Sequence, residues 1–385
     1  MLHKFELSPN PPQKSQYMKI LPFVSLLFAL GGCTILSQPT KNANRIDLDK
    51  VSVFHQYRNL PETPLDSSWR TYALRMEIPS TISYSVSLAS IDERIHLEGW
   101  KKIVGPSYNT PQKAHLQISI VFDDLMFDNQ KIEQRKEETR NKEGVITSSR
   151  SFFWSLVYYS LSAGYSILDY QGNRLWYRKN LGGSSSKLEW KSPIFNSYSE
   201  ADRYFNNNRM AISNKLVKER MDGILLDMNN EINRKYGFPI ASEPIILWTT
   251  DSKKHPENIR FNENMSKIKN AISRVGAKGI DSITHSALKN AIAYFTDLQE
   301  EYASDEKGNR KLRYACCYNT AILFMILDMP TEAISACKSL IENDFDIIDG
   351  EKMIEKITAL QELMAKNKIR SRHYPIDTHK FSFPQ

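Results

Sequence analysis

Apolar and polar positions alternate with a period of two through much of residues 49–240, whereas beyond residue 260 only helical periodicity is sustained. Thr71–Ile78 and Ile82–Leu88 alternate and are rich in β-formers, which predicts two strands. His115–Asp123 is the clearest strand, with Leu116, Ile118, Ile120 and Phe122 on one face and Val121 on the other. From Ser151 to Leu168 run eighteen uncharged residues, but five serines, a glycine and many aromatics fit buried strands better than a membrane span. Tyr165–Asp169 and Arg174–Arg178 flank Gly172-Asn173, a pair that favours the positive φ of a tight hairpin. The charged stretch 129–149 reads as a long exposed hairpin or loop, and Gly182–Ser186 as a loop. A long helix is predicted from Ser199 to about Tyr236. Val217, Met221, Ile224, Leu225, Met228 and Ile232 form its apolar stripe, placed to pack on a sheet. Ser199 with Asp202 resembles a capping box at its start, and Gly237 with Pro239 ends it.

Pro239, Pro244 and Pro256 interrupt any period between the two regimes, so residues 241–260 read as a linker, with a short strand allowed at Ile245–Trp248. Helices follow at about 262–275, 283–303, 310–328, 330–344 and 350–367. The expected fold is an α+β domain over 49–240, a mostly antiparallel sheet with packed helices. An all-α domain of helical hairpins over 261–372 and a tail over 373–385 follow. A length of 385 residues agrees with two domains.

Upstream of both, Lys19 precedes an apolar run, Ile20–Leu30, which closes on Leu30-Gly31-Gly32-Cys33. The run contains Pro22 and is shorter than the roughly 20 residues a span needs. It resembles the signal peptide of a bacterial lipoprotein, in which small residues admit the peptidase and the next cysteine takes the lipid. The resemblance implies that residues 1–32 are removed and that Cys33 is acylated, its acyl chains inserted among membrane lipids. Residues 1–17 are polar and proline-bearing and fit no signal, which suggests Met18 as the true start. Residues 33–48 read as a polar, flexible tether. In several lipoprotein families an acidic residue after the cysteine marks inner-membrane retention or surface export. Thr34, Ile35 and Leu36 follow here, so the resemblance implies the outer membrane, facing the periplasm.

Tyr314–Phe345 resembles one tetratricopeptide repeat. Ala321 and Phe324 take the small and aromatic positions of the first helix, and Ala333, within Glu332-Ala333-Ile334, takes the small position of the second. Thr320, Leu340 and Phe345 depart from the pattern. Ala287, Ala291 and Phe295 echo it upstream, but 42 residues separate Ala291 from Ala333 where the family spaces its repeats by 34. The resemblance implies a module that binds proteins; an ordinary helical bundle is the plainer alternative. In a hairpin turning near residue 328, Ala321 faces Ala333 and Cys317 faces Cys337. A Cys317–Cys337 disulfide is then allowed in an oxidising compartment. The other reading is that Cys316, Cys317 and Cys337 are small core residues.

The formal charge is +7; residues 1–32 carry +2 of it (Lys4, Lys14 and Lys19 against Glu6), leaving about +5 on the remainder. No concentrated basic block of the kind a nucleic-acid footprint needs is present, so no nucleic-acid partner is expected. The eight histidines are scattered, with no HExxH, no CxxC, no GxSxG and no phosphate-cradling glycine loop. Neither a metal, a cofactor nor a catalytic set is therefore expected. Ser184-x-x-Lys187 and Ser266-x-x-Lys269 lack the companion motifs of serine–lysine enzymes. Asp123-Asp124 could serve as a carboxylate pair or could simply terminate a strand. Tyr204–Arg209, with Asn206, Asn207 and Asn208, reads as a partner-binding or merely solvated helix face. Trp100, Trp176 and Trp190 are either core or sugar-stacking residues. The reading these features favour is a lipid-anchored, non-catalytic factor that binds an envelope protein through its helical domain. The alternatives are a glycan-binding surface lipoprotein and an envelope enzyme.

Overall fold

A computed structural model describes residues 46–383, apart from 109, 111 and 183–186. Cys33, the apolar run before it, most of the tether and Ser184 lie outside the described residues.

Strand β1 (Leu48–Arg58) is followed by β2 (Thr71–Glu77), short helices α1 (Ser80–Ser83) and α2 (Leu88–Arg94), and β3 (Lys101–Lys102). Next come β4 (Leu116–Phe122), β5 (Met126–Phe127), β6 (Lys131–Arg140), β7 (Ile146–Ser160), β8 (Ala163–Asp169), β9 (Arg174–Leu181) and β10 (Leu188–Lys191). The long α3 (Tyr198–Tyr236) and strand β11 (Ile240–Thr250) lead into α4 (Asn258–Ile272), α5 (Ser282–Glu301), α6 (Lys307–Ile326), α7 (Pro330–Glu342) and α8 (Ile347–Asn367). The α+β character of the first part and the helical character of the second follow the sequence pattern.

One sheet has the order β3-β2-β4-β8-β9 and is mixed: β2 runs parallel to β3 and β4, the other pairs antiparallel. The parallel step arises because α1, α2 and β3 intervene between β2 and β4. Part of that crossover is the segment Ile82–Leu88, where two helical turns replace the expected strand. Pro79 stands at the N-cap of α1 with extended ψ, and the Ser87 hydroxyl accepts from Ser90 N at 3.1 Å to start α2. Of the serines that suggested alternation, Ser83 ends α1, Ser85 bonds Asn214 and Ser87 caps α2. The hairpin turn between β8 and β9 is as expected, with Gly172 at φ +85°.

Helix α3 has 39 residues, about 58 Å, long enough to serve two cores. Its C-terminal half sets Met221, Ile224, Leu225, Met228 and Ile232 against the five-stranded sheet, all fully buried. Its N-terminal half packs Phe205, Ile212 and Leu216 on Val157 of the second sheet, in which β5, β6 and β10 all pair with β7. The helix begins at Tyr198 with Ser197 at the N-cap, so the Ser199 box places the cap two positions too late.

The segment read as a linker is structural. Strand β11 pairs with β1 along its whole length, Leu48 opposite Thr250 and Arg58 opposite Ile240. Pro244 is tolerated because a two-stranded ribbon leaves each strand one free edge. Val53 and Leu247 bury one face of the ribbon against Phe261 of α4 and Leu323 of α6. The fully buried Asn319 of α6 grips the ribbon by its backbone, accepting from Trp248 N and donating to Trp248 O, each at 2.8 Å. The tail is bound too: Arg58 N donates to Arg372 O at 3.0 Å, Lys101 Nζ to Phe381 O at 2.8 Å, and Phe383 lies 5.0 Å from the His115 ring.

Consecutive helices α5 to α8 pack on one another. Asn343, at the end of α7, donates to Arg310 O near the start of α6 at 2.7 Å, so that pair is antiparallel. Ala321 and Ala333 are fully buried in one cluster with Cys337. Cys316, Cys317 and Cys337 are buried free thiols, and the Cys317–Cys337 disulfide is not formed. Cys317 Sγ instead donates to Gln299 Oε1 at 3.1 Å. Burial pushes the Cys317 thiol up to about 12 and the Cys337 thiol up to about 11.

Candidate functional site

The side of the five-stranded sheet turned away from α3 is open, because alternate residues point to opposite faces. In β4, Leu116, Ile118, Ile120 and Phe122 are buried, whereas Gln117, Ser119 and Val121 face outward. In β8, Ala163, Tyr165 and Ile167 are buried and Gly164, Ser166 and Leu168 face outward. Small and polar residues therefore pave a floor. Strand β9 raises one wall through a bulge: Ala163 pairs with Leu181, but Tyr165 pairs with Arg178. At that bulge Asn180 takes φ +58°, a left-handed conformation that asparagine tolerates better than most residues. Bulges of this kind re-aim side chains and recur beside functional sites.

The result is a groove of about 470 Å3 lined by Ser119, Val121, Gly164, Ser166, Tyr177 and Asn180, with Asp123 and Lys179 as its charges. A Cβ at Gly164 would stand 3.3 Å from Arg178 O, so glycine lets β9 approach and keeps the floor clear. A second groove of about 600 Å3 shares Ser119 and extends to Arg75, Gln117, Tyr170 and Phe383. Tyr177 and Tyr170 are 46% and 50% exposed. Arg174 lies 5.2 Å from the Tyr177 ring centroid and steadies it. Two half-exposed aromatic rings beside amide, hydroxyl and carboxylate groups can bind a polar ligand with an apolar face. Nothing in the sequence pattern marked Tyr177 and Asn180; the only signal is the turn-forming Asn180-Leu181-Gly182.

The residues singled out from sequence scatter. Asp123 and Asp124 are both exposed and serve different neighbours: Asp123 accepts from Ser162, and Asp124 accepts from Thr81 Oγ1 at 2.6 Å. They close β4, and only Asp123 reaches the groove. Trp100 is core, donating through Nε1 to Tyr236 O at 2.9 Å. Trp176 lies half-buried beneath Lys235, 3.4 Å from Nζ to ring centroid, and Trp190 stacks on Tyr204. None of the three offers a free platform. In Tyr204–Arg209, Phe205 is buried, Asn206 and Asn207 are exposed, and Asn208 donates to Tyr204 O at 2.9 Å. Ser266 donates to Asn262 O at 3.0 Å, and Lys187 pairs with Asp128 at 2.5 Å. Among the described residues no group of three or more His, Cys, Asp or Glu is arranged to hold a metal ion.

Four histidines, His55, His115, His255 and His373, are buried. Burial lowers the imidazole of His55, aided by the nearby Arg372, and burial also lowers those of His115 and His255. All three stay neutral in the native protein below the pH at which the unfolded chain takes up protons, about 6.5. Stability is therefore expected to fall as pH drops below about 6.5, where the unfolded state binds more protons. Urea midpoints at pH 7.5, 6.5 and 5.5 check this; a midpoint that rises toward pH 5.5 contradicts it.

No helix among the described residues is long and apolar enough to cross a membrane. No protein-family model and no curated protein matches the chain.

Proposed function

We propose that the protein is a lipid-anchored factor of the bacterial envelope that binds other envelope proteins through its helical array and carries out no chemistry itself. The observation that carries this reading is the array α5–α8, in which Ala321 of α6 and Ala333 of α7, the small positions of the sequence resemblance, are buried in one cluster. Helical arrays of this kind leave side chains free for partners. Ile283 on α5 and Ile348 on α8 are 68% and 55% exposed. The address comes from Leu30-Gly31-Gly32-Cys33, which supports an acylated Cys33 and an outer-membrane location facing the periplasm.

A second reading, glycan binding, is favoured by one observation: Tyr177, Asn180 and Asp123 line a single groove on the open sheet face. Photo-cross-linking residues placed at Ile283, Ile348 and Tyr177 of the full-length chain in cells separate the two. Specific envelope-protein adducts from Ile283 or Ile348 support the first reading. Adducts from neither, with Tyr177 labelling suppressed by added oligosaccharide, overturn it in favour of the second.

A further inference from the structure

Strands β6 and β7 project as a two-stranded arm. From Lys131 to Arg140 the backbone of β6 pairs only with β7, and among the described residues its outer edge meets no other strand. Gln134 to Arg140 are exposed. An open edge is a template for another strand, and charges normally guard it. Here the charges form a sequence that refuses most strands and accepts one.

Lys131, Glu133, Arg135 and Glu137 share one face of β6 and alternate in sign. Neighbours along the strand already pair, with Arg135 Nη2 2.6 Å from Glu137 Oε1. A two-fold axis normal to the sheet can lay this strand antiparallel against its own copy. With Gln134 opposite Gln134, Lys131 then faces Glu137 and Glu133 faces Arg135, and symmetry makes each pair twice. Each of these four charges then meets an opposite charge across the seam, while on the other face Lys136 falls opposite Ile132 and Glu138 opposite Gln130. A shift of two residues either way destroys this. One shift sets Arg135 against Arg135 and Glu133 against Glu137; the other sets Glu133 against Glu133 and Lys131 against Arg135. Like charges directly opposite are destabilising, so the register is selected.

We propose that β6 is the surface through which two copies of this chain pair, antiparallel, with Gln134 on the two-fold axis. The proposal is independent of what the helices or the groove bind. Helix α3 meets each arm at its Gln130 end, where Gln130 Nε2 donates to Asp202 O at 2.8 Å. The two bodies thus fall at opposite ends of the paired strands. Seven residues from each strand bury less than the roughly 1,200 Å2 of a standard interface, and the charges are wet. The dimer is accordingly weak and weakens further with salt.

Cysteine trapping tests it in the purified full-length protein in detergent. Facing Cα atoms in an antiparallel pair are about 4.5–5.5 Å apart, within disulfide reach. Gln134→Cys is therefore expected to form a dimer under mild oxidation. Thr139→Cys would stand ten residues, about 34 Å, from its own copy and should trap at least tenfold more slowly. Cys316, Cys317 and Cys337 are buried, and the protein with Gln134 intact, oxidised alongside, sets the background from these thiols and from Cys33. At low salt, adding Glu133→Lys to Gln134→Cys is expected to slow trapping roughly tenfold. Adding Arg135→Glu to that pair restores the opposite charges across the seam and should restore the rate. Equal trapping at positions 134 and 139, indifference to Glu133→Lys, or no rescue by the charge swap overturns the proposal. So does trapping in intact cells that joins Gln134→Cys to a different protein instead of a second copy.

Discussion

Replacing Arg372 by methionine is expected to cost the fold about 3–5 kcal/mol, the range for breaking a buried ion pair from one side. Its partner Asp328 has a side chain with 0% exposure, against 8% for Arg372, and their contact is 2.7 Å from Nε to Oδ1. Asp328 sits in the turn between α6 and α7 with φ +54°. There it also accepts from Arg372 N at 2.5 Å and Ser371 Oγ at 3.0 Å. The guanidinium does more than neutralise: Nη2 donates to Met325 O at 3.1 Å, and its carbon lies 4.4 Å from the Tyr57 ring centroid. One side chain thereby fastens the helical hairpin, the returning tail and β1. Without it a buried carboxylate keeps its bonds from Ser371 and the 372 backbone N–H but loses its arginine, and the only basic group left beside it is the His373 imidazole, 3.6 Å from Nε2 to Oδ2. Adding Asp328→Asn in the Arg372→Met background removes that charge and keeps a residue that tolerates left-handed backbone, so part of the loss should return. Urea unfolding of the wild type, both single variants and the double variant measures the coupling. A loss below about 1 kcal/mol for Arg372→Met would mean that water reaches the pair and that the turn is held by other contacts.

That ion pair also marks where the sequence stops being legible. Forty-four residues separate Asp328 from Arg372, and a lone arginine in a charged tail gives no hint of burial. Short-range features were readable: the 217–232 stripe, the β4 alternation, the Gly172 turn and the five C-terminal helices each depend on neighbours within a few residues. Long-range pairing was not. Strand β11 looked like a linker because Pro244 breaks its alternation, yet its partner β1 lies about 190 residues upstream and asks only that one edge be bonded. The same limit hid the groove. Ser119, Ser166 and Gly164 carry no signal of their own in the sequence, and only the β4–β8–β9 pairing turns them into a floor beneath Tyr177 and Asn180. Conversely, Trp100, Trp176 and Trp190 drew notice as large aromatics and proved to be packing residues.

Changing Cys33 to alanine is expected to have the largest effect on where the protein resides. An apolar run of eleven residues after Lys19 is too short to span a bilayer, so stable anchoring in the proposed reading falls to the acyl chains. Each buried methylene contributes about 0.8 kcal/mol; one chain binds only marginally, and two or more hold firmly. Wild-type protein should then stay with membranes through a high-salt wash, take up radiolabelled palmitate, and begin at Cys33 by intact mass. Cys33→Ala should lose the label entirely and accumulate at the mass of the unprocessed chain, because the same cysteine is needed for lipid attachment and for cleavage. The start of that unprocessed chain, Met1 or Met18, is read from the same spectrum. Label retained in Cys33→Ala, or wild-type protein that still carries residues before Cys33, would remove the lipid anchor. The described core begins at Ile46, thirteen residues beyond Cys33. Unfolding midpoints of wild type and Cys33→Ala should accordingly coincide, which separates a failure of anchoring from a failure of folding.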